Sequence, residues 1–92
     1  MWDDELHLIT NAIKECLHSG WSVSDPDTSY LPGDAYRAAR HRWYIEKVEG
    51  KLLRVLTINV QSDCRQKPDV SIDDFKTWIC NAMEIGAGEW GN

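Results

Sequence analysis

The chain has 92 residues, of which 42% are hydrophobic and 27% are charged, and its formal net charge is -5. This length suits one domain with a modest core, and this composition is typical of neither a disordered chain nor a membrane protein. No apolar run approaches the roughly 18 residues of a membrane helix, and residues 1–5 lack the cationic start of a signal peptide, so we expect one cytoplasmic domain over residues 1–92.

The first element is a predicted helix over residues 3–19. Its apolar side chains recur at spacings of three and four and so form one stripe of a helix: Trp2, Leu6, Ile9, Ile13 and Leu17. Acidic residues near its start complement the positive end of the helix dipole, and Gly20 can adopt the left-handed conformation that ends it.

The stretch over residues 21–39 carries weaker signals. Residues 21–24 alternate as a short strand does, and residues 25–27 and 31–34 are typical of turns. Asp34 can cap a short helix over residues 35–39, but an irregular loop explains the same residues nearly as well. Both alternatives stay open.

A β-hairpin is predicted at the centre of the chain. Residues 41–48 and 51–61 are rich in β-branched and aromatic side chains, and Glu49-Gly50 between them is typical of a turn. The second run is apolar on both sides near its start, which predicts that it is the central strand.

The register of this hairpin has two alternatives at this point. A two-residue loop pairs Trp43 with Leu56, whereas a three-residue loop with left-handed Gly50 pairs Trp43 with Val55. Either register leaves Trp43 well placed for the core.

A second helix is predicted over residues 72–84, with Ser71 as its capping residue and Asp74 three residues further on. Its apolar face consists of Ile72, Phe75, Trp78, Ile79, Ala82 and Met83. The glycine-rich tail over residues 85–92 is expected to fray unless Trp90 docks against the domain.

These elements predict an α+β fold. A small antiparallel sheet built on the central hairpin carries the N-terminal and C-terminal amphipathic helices on one face. The other face of the sheet is then free for a partner.

The positions of the cysteines and histidines in the sequence do not form a recognised catalytic or metal-binding motif. Cys16, Cys64 and Cys80 are odd in number and widely spaced, so we expect reduced thiols, no metal and no cofactor. No phosphate-binding loop, nucleophile elbow or zinc-protease motif occurs, and no small-molecule substrate is evident. His41 with Asp34, or Cys64 with a distant histidine, leaves a small enzyme as one alternative.

Charge is sorted along the chain. Residues 1–34 hold seven acids against Lys14, residues 35–67 hold eight bases against three acids, and residues 68–92 hold five acids against Lys76. Bases interleaved with aromatic residues are what phosphates and nucleobases favour. The predicted contact residues are Arg37, Arg40, Arg42, Tyr44 and Arg54. The alternative is that these bases balance the domain's own acidic helices.

The sequence therefore predicts a non-enzymatic interaction module that binds, and inhibits or adapts, a larger protein or nucleoprotein complex. A phage-encoded inhibitor of host defence, of the anti-CRISPR type, is one example of such a module. The first alternative is a nucleic-acid-binding domain that uses the basic hairpin face. The second is the small enzyme whose site is not visible in the sequence.

Overall fold

The computed structural model describes residues 3–30, 38–63 and 71–91. In chain order its elements are α1 (Asp3–Cys16), β1 (Trp21–Val23), β2 (Asp27–Tyr30), β3 (Ala39–Glu49), β4 (Leu52–Ser62), α2 (Ile72–Ile85) and β5 (Gly88–Gly91). Two helices and a five-stranded sheet make this an α+β fold with a hairpin at its centre, which confirms the predicted fold class. None of the described helices is long and apolar enough to cross a membrane.

Helix α1 ends at Cys16, three residues before the predicted end. The backbone tightens there because the Leu17 amide donates to the Lys14 carbonyl at 3.4 Å. The Trp21 amide then donates to the His18 carbonyl at 3.1 Å, which turns the chain into β1. Gly20, at φ +89°, has the predicted left-handed conformation but belongs to this turn and not to the helix end.

The predicted strand over residues 21–24 is present as β1, but β2 was not predicted. All four residues of β2 are exposed, so no alternation of apolar and polar side chains marks the strand. It forms because its backbone pairs antiparallel with β3. Of the short helix considered over residues 35–39, Ala38 is not helical and Ala39 begins β3. Residues 35–37 and the predicted Asp34 cap lie outside the described residues.

The hairpin is present, but both predicted registers are wrong. Trp43 pairs with Ile58 because the two turn residues are Gly50 and Lys51, one position later than predicted. Gly50 has φ +60° at the first turn position, as the turns that match strand twist require. Moving the turn by one residue shifts every partner by two, so each side chain keeps its face and Trp43 still lies in the core.

The tail forms a strand instead of fraying. Strand β5 pairs parallel with β4, so the sheet is mixed and not purely antiparallel as predicted. The crossover through α2 brings the chain back alongside residues 56–59, in the middle of β4, so that β5 runs in the same direction as β4. Trp90 packs against Phe75 with ring centroids 6.0 Å apart and planes inclined at 59°. Strand β4 is an interior strand, since it pairs with both β3 and β5, but β3 is interior as well, so β4 is one of two central strands and not the single one that was predicted.

Helix α2 spans the predicted residues with one more at its end. Ser71 occupies the capping position with an extended backbone, but its side chain makes no capping hydrogen bond, so that part of the prediction is wrong. At the other end Gly86, at φ +88°, donates its amide to the Ala82 carbonyl at 2.8 Å. The helix therefore ends at a left-handed glycine.

The core lies between the two helices and one face of the sheet, here called the inner face. The buried apolar side chains of the sheet belong to alternate positions: Trp21, Ala39, Trp43, Ile45, Leu56, Ile58 and Val60. The helices contribute Ile9, Ala12, Ile13, Phe75, Ile79, Ala82 and Met83. The opposite side, here called the outer face, contributes no side chain to this core, and no described helix covers it.

Candidate functional site

Three of the five predicted contact residues lie together on the outer face. Side chains alternate along a strand, so burial of Trp43 and Ile45 on the inner face directs Arg40, Arg42 and Tyr44 to the outer face. All three are half-buried. Arg37, the fourth predicted contact residue, lies outside the described residues.

Arg54 does not join this group. It pairs with Lys47 across the hairpin and therefore lies on the inner-face side, beyond the end of α2. Its Nε donates to Glu49 Oε2 at 2.8 Å, and Lys47 Nζ lies 3.3 Å from Glu49 Oε1. These hydrogen bonds lower the pKa of the Glu49 carboxyl. The guanidinium also fills the space beside Gly86, so Arg54 is engaged by local partners.

Arg40 is a cation without an acidic partner among the described residues. The ion pairs there join Glu49 to Lys47 and Arg54, and Glu15 to Lys76. The Nε of Arg40 is buried, and none of the described residues accepts a hydrogen bond from it. A buried donor with no acceptor costs free energy, so an acceptor brought by a partner would relieve that cost.

Arg42 belongs to a hydrogen-bonded chain that crosses three strands. Its Nε donates to Asn59 Oδ1 at 2.6 Å, and Asn59 Nδ2 donates to Glu89 Oε1 at 3.1 Å and to the Trp90 carbonyl at 3.3 Å. Asn59 is only 1% exposed although it faces outward. Sequence analysis missed Asn59 and Glu89, but a polar residue between Ile58 and Val60 in an apolar strand was the available signal.

The far end of the outer face is apolar. Val48 pairs with Leu53 near the hairpin turn, and their side chains are 73% and 57% exposed. Tyr44, opposite Thr57, lies between this apolar end and the arginines. One sheet face thus combines guanidinium groups, an aromatic ring and exposed aliphatic groups, a combination enriched in protein interfaces.

His41 occupies a buried polar position on the inner-face side. Its Nδ1 lies 2.9 Å from Thr28 Oγ1 and its Nε2 lies 2.6 Å from Ser62 Oγ, so hydrogen bonds link β2, β3 and β4. Asp34, the acid considered with His41, lies outside the described residues. A serine beside an imidazole can act as a nucleophile, but the Thr28 hydroxyl carries no charge with which to stabilise an imidazolium as a carboxylate does.

Ser62→Ala is expected to lower the free energy of unfolding by about 1 to 2 kcal/mol, because a buried imidazole nitrogen loses its 2.6 Å contact. Urea denaturation measures the change. Ser22→Ala is the matched control, since Ser22 is an exposed strand serine and its removal should change stability by less than about 0.5 kcal/mol. Equal losses in both variants would contradict a stabilising role for the His41 contact.

An open cavity of about 370 Å³ lies near this polar position, and Thr28 contributes to both. Its lining consists of Leu6, His7, Thr10, Asp25, Pro26 and Thr28. Thr10 is otherwise engaged, since its hydroxyl accepts a hydrogen bond from Trp43 Nε1 at 2.8 Å and donates one to the Leu6 carbonyl. Within residues 3–30, 38–63 and 71–91, no group of three or more His, Cys, Asp or Glu side chains is arranged to hold a metal ion.

The outer face is therefore the candidate site, and Arg40, Arg42 and Tyr44 form its basic end. Comparison of the chain with protein-family models, with curated proteins and with solved structures found no significant match. Function is inferred below from the geometry of this face.

Proposed function

We propose that this domain is a non-enzymatic interaction module that binds a larger protein or nucleoprotein complex through the outer face of its sheet. The observation that carries the proposal is the alignment of Arg40, Arg42 and Tyr44 on a face that no described helix covers. Arginine and tyrosine are enriched among the residues that dominate binding energy at protein interfaces.

The chemistry of the face favours a protein surface that is acidic at one end and apolar at the other. Arg40 and Arg42 would contact carboxylates, and the exposed Val48 and Leu53 would pack against aliphatic groups. Glu46 and Glu89 also lie on the outer face, and their charges would repel a continuous phosphate backbone. A protein partner therefore fits this face better than a bare nucleic acid.

The module would act by occupancy. A bound domain of this size blocks or bridges a surface of its partner without chemical change, as an inhibitor or an adaptor does. A phage-encoded inhibitor of a host defence complex, of the anti-CRISPR type, is one form this activity would take. The odd number and wide spacing of Cys16, Cys64 and Cys80 favour a reducing cytoplasm as the place where it works.

Arg40→Gln is expected to weaken binding about tenfold or more while the melting temperature stays within about 3 °C of wild type. Binding falls because the guanidinium is lost. Stability changes little because Arg40 has no ion pair, and its Nε no acceptor, among the described residues. The partner is captured from host lysate with and without nuclease and then purified. Its affinity for each variant is measured by titration calorimetry.

Lys14→Gln is the matched control, because it removes one positive charge from an exposed position on α1, away from the outer face. Full binding by Arg40→Gln, or an equal loss in Lys14→Gln, would contradict the proposal. Arg42 is a poorer probe, since its replacement also deprives buried Asn59 of a donor.

Salt dependence separates a protein partner from a nucleic acid. If Arg40 contacts a phosphate, Arg40→Gln reduces the slope of log affinity against log salt by about one. A shallow slope that hardly changes between wild type and variant is expected for the protein partner proposed here. A steep slope, together with loss of capture after nuclease treatment, would favour the nucleic-acid alternative.

A further inference from the structure

Two cysteines that are far apart in sequence meet where α1 packs against α2. Cys16 is the last residue of α1, and Cys80 lies in the middle of α2. Both are free thiols at partly buried positions beside the core. The contacts between α1 and α2 that flank them place the two thiols near each other across the helix interface.

Contacts on both sides of the pair hold this arrangement. On one side, Lys76 Nζ lies 3.0 Å from Glu15 Oε2. Lys76 is one helical turn before Cys80, and Glu15 immediately precedes Cys16. On the other side the His18 amide donates to Met83 Sδ at 3.5 Å. The side chains around the thiols belong to the same apolar cluster as the core, so the two helices are fixed relative to each other at this point.

We propose that Cys16 and Cys80 form an oxidisable dithiol, which small-molecule disulfides convert to an intramolecular disulfide between α1 and α2. The thiolate of one cysteine attacks the small disulfide, whose S–S bond breaks and releases one thiol. The second cysteine attacks the protein sulfur of the mixed disulfide and releases the other thiol. Two electrons pass from the protein to the reagent, and both protons end on the two released thiols.

The environment of Cys16 sets the rate of this reaction. Burial and the Cys80 thiol raise the pKa of Cys16 above its ordinary value of 9.0, while the nearby Lys76 ammonium opposes the rise. The thiolate is the reactive species, so oxidation is expected to be slow at neutral pH and to accelerate as the pH rises toward and beyond 9.0. The resting state of the pair in a reducing compartment is the dithiol.

The test is incubation of the folded, reduced full chain with oxidised glutathione, followed by peptide mapping without reduction. The expected result is a cross-linked peptide pair containing Cys16 and Cys80, with loss of the mass of two hydrogen atoms. The oxidised protein should melt about 5 to 15 °C higher than the reduced protein, because the new bond restricts the unfolded chain. Addition of dithiothreitol should reverse both changes.

Cys64→Ser removes the third thiol and is expected to keep the cross-link, whereas Cys16→Ser and Cys80→Ser should each abolish it. Each of these two variants should instead hold one glutathione on its remaining helix cysteine. Glutathione adducts without a Cys16–Cys80 link in the folded Cys64→Ser protein would overturn the proposal. So would a cross-link that forms only after urea denaturation, because the proposal requires the folded arrangement.

Discussion

Replacing Phe75 with Ala is expected to lower the free energy of unfolding by about 3 to 5 kcal/mol, as large-to-small core substitutions do. Phe75 is fully buried between α2 and the inner face, and it is also the ring on which Trp90 docks. The substitution leaves a cavity and removes the support of β5 at the same time. Equilibrium denaturation in urea, followed by tryptophan fluorescence, measures both consequences.

The matched control for Phe75→Ala is Ile85→Ala in the same helix. Ile85 is 74% exposed, so its truncation should change the free energy of unfolding by less than about 0.5 kcal/mol. A loss below about 1 kcal/mol at Phe75 would contradict the described packing of α2 on the sheet.

Gly91→Ala is expected to detach β5 from β4 and to destabilise the domain by more than about 2 kcal/mol. A methyl group at this position would overlap the backbone carbonyl oxygen of Asn59, and the φ of +84° is one that alanine rarely adopts. The strand cannot shift without losing the hydrogen bonds from Asn59 to Glu89 and to the Trp90 carbonyl. Faster amide hydrogen exchange in β5 and a red-shifted Trp90 emission are the expected signals.

Gly50→Ala is the control that separates the two effects of Gly91→Ala, the backbone strain of a positive φ and the steric clash with Asn59. Gly50 also has a positive φ, of +60°, but no atom lies within 4 Å of the added methyl group. Its replacement should therefore cost only the strain, about 1 to 2 kcal/mol, and should leave β5 protected from exchange. If Gly91→Ala lowers the free energy of unfolding by no more than Gly50→Ala does, the result would contradict the described close approach of Gly91 to the Asn59 backbone.

The difference between Arg40 and Arg42 matters for any experiment on the outer face. The two residues are two positions apart on one strand and point the same way, yet Arg42 is hydrogen-bonded to buried Asn59 whereas Arg40 Nε has no acceptor. Replacing Arg42 would disturb the hydrogen bonds of buried Asn59 as well as any contact with a partner. Arg40→Gln is therefore the better test of the proposed binding.

Sequence periodicity was enough to predict both helices and the hairpin. The stripe that includes Ile13 and the face that includes Phe75 depend only on spacings within each helix, and both side chains are fully buried. The inward orientation of Trp43 was also predictable, because alternation along a strand does not change when the turn moves by one residue.

Strands β2 and β5 could not be predicted from their own residues. Asp27–Tyr30 has no buried position, and Gly88–Gly91 contains two glycines that disfavour strands. Both strands form because their backbones pair with strands outside their own segment, β2 with β3 and β5 with β4. Cys16 and Cys80 meet for the same reason, since only the packing of α1 against α2 brings them together.

The sequence by itself determined the α+β class, the two amphipathic helices, the central hairpin and the side of the sheet on which Trp43 lies. These features follow from local periodicity, which each segment carries without reference to the rest of the chain. Only the tertiary structure decided the turn at Gly50-Lys51, the parallel strand β5 and the separation of Arg54 from Arg40 and Arg42. The position of β5 depends on pairing with a strand that is distant in sequence. The turn and the placement of Arg54 depend on the register of the hairpin, which the residues of each strand do not specify by themselves.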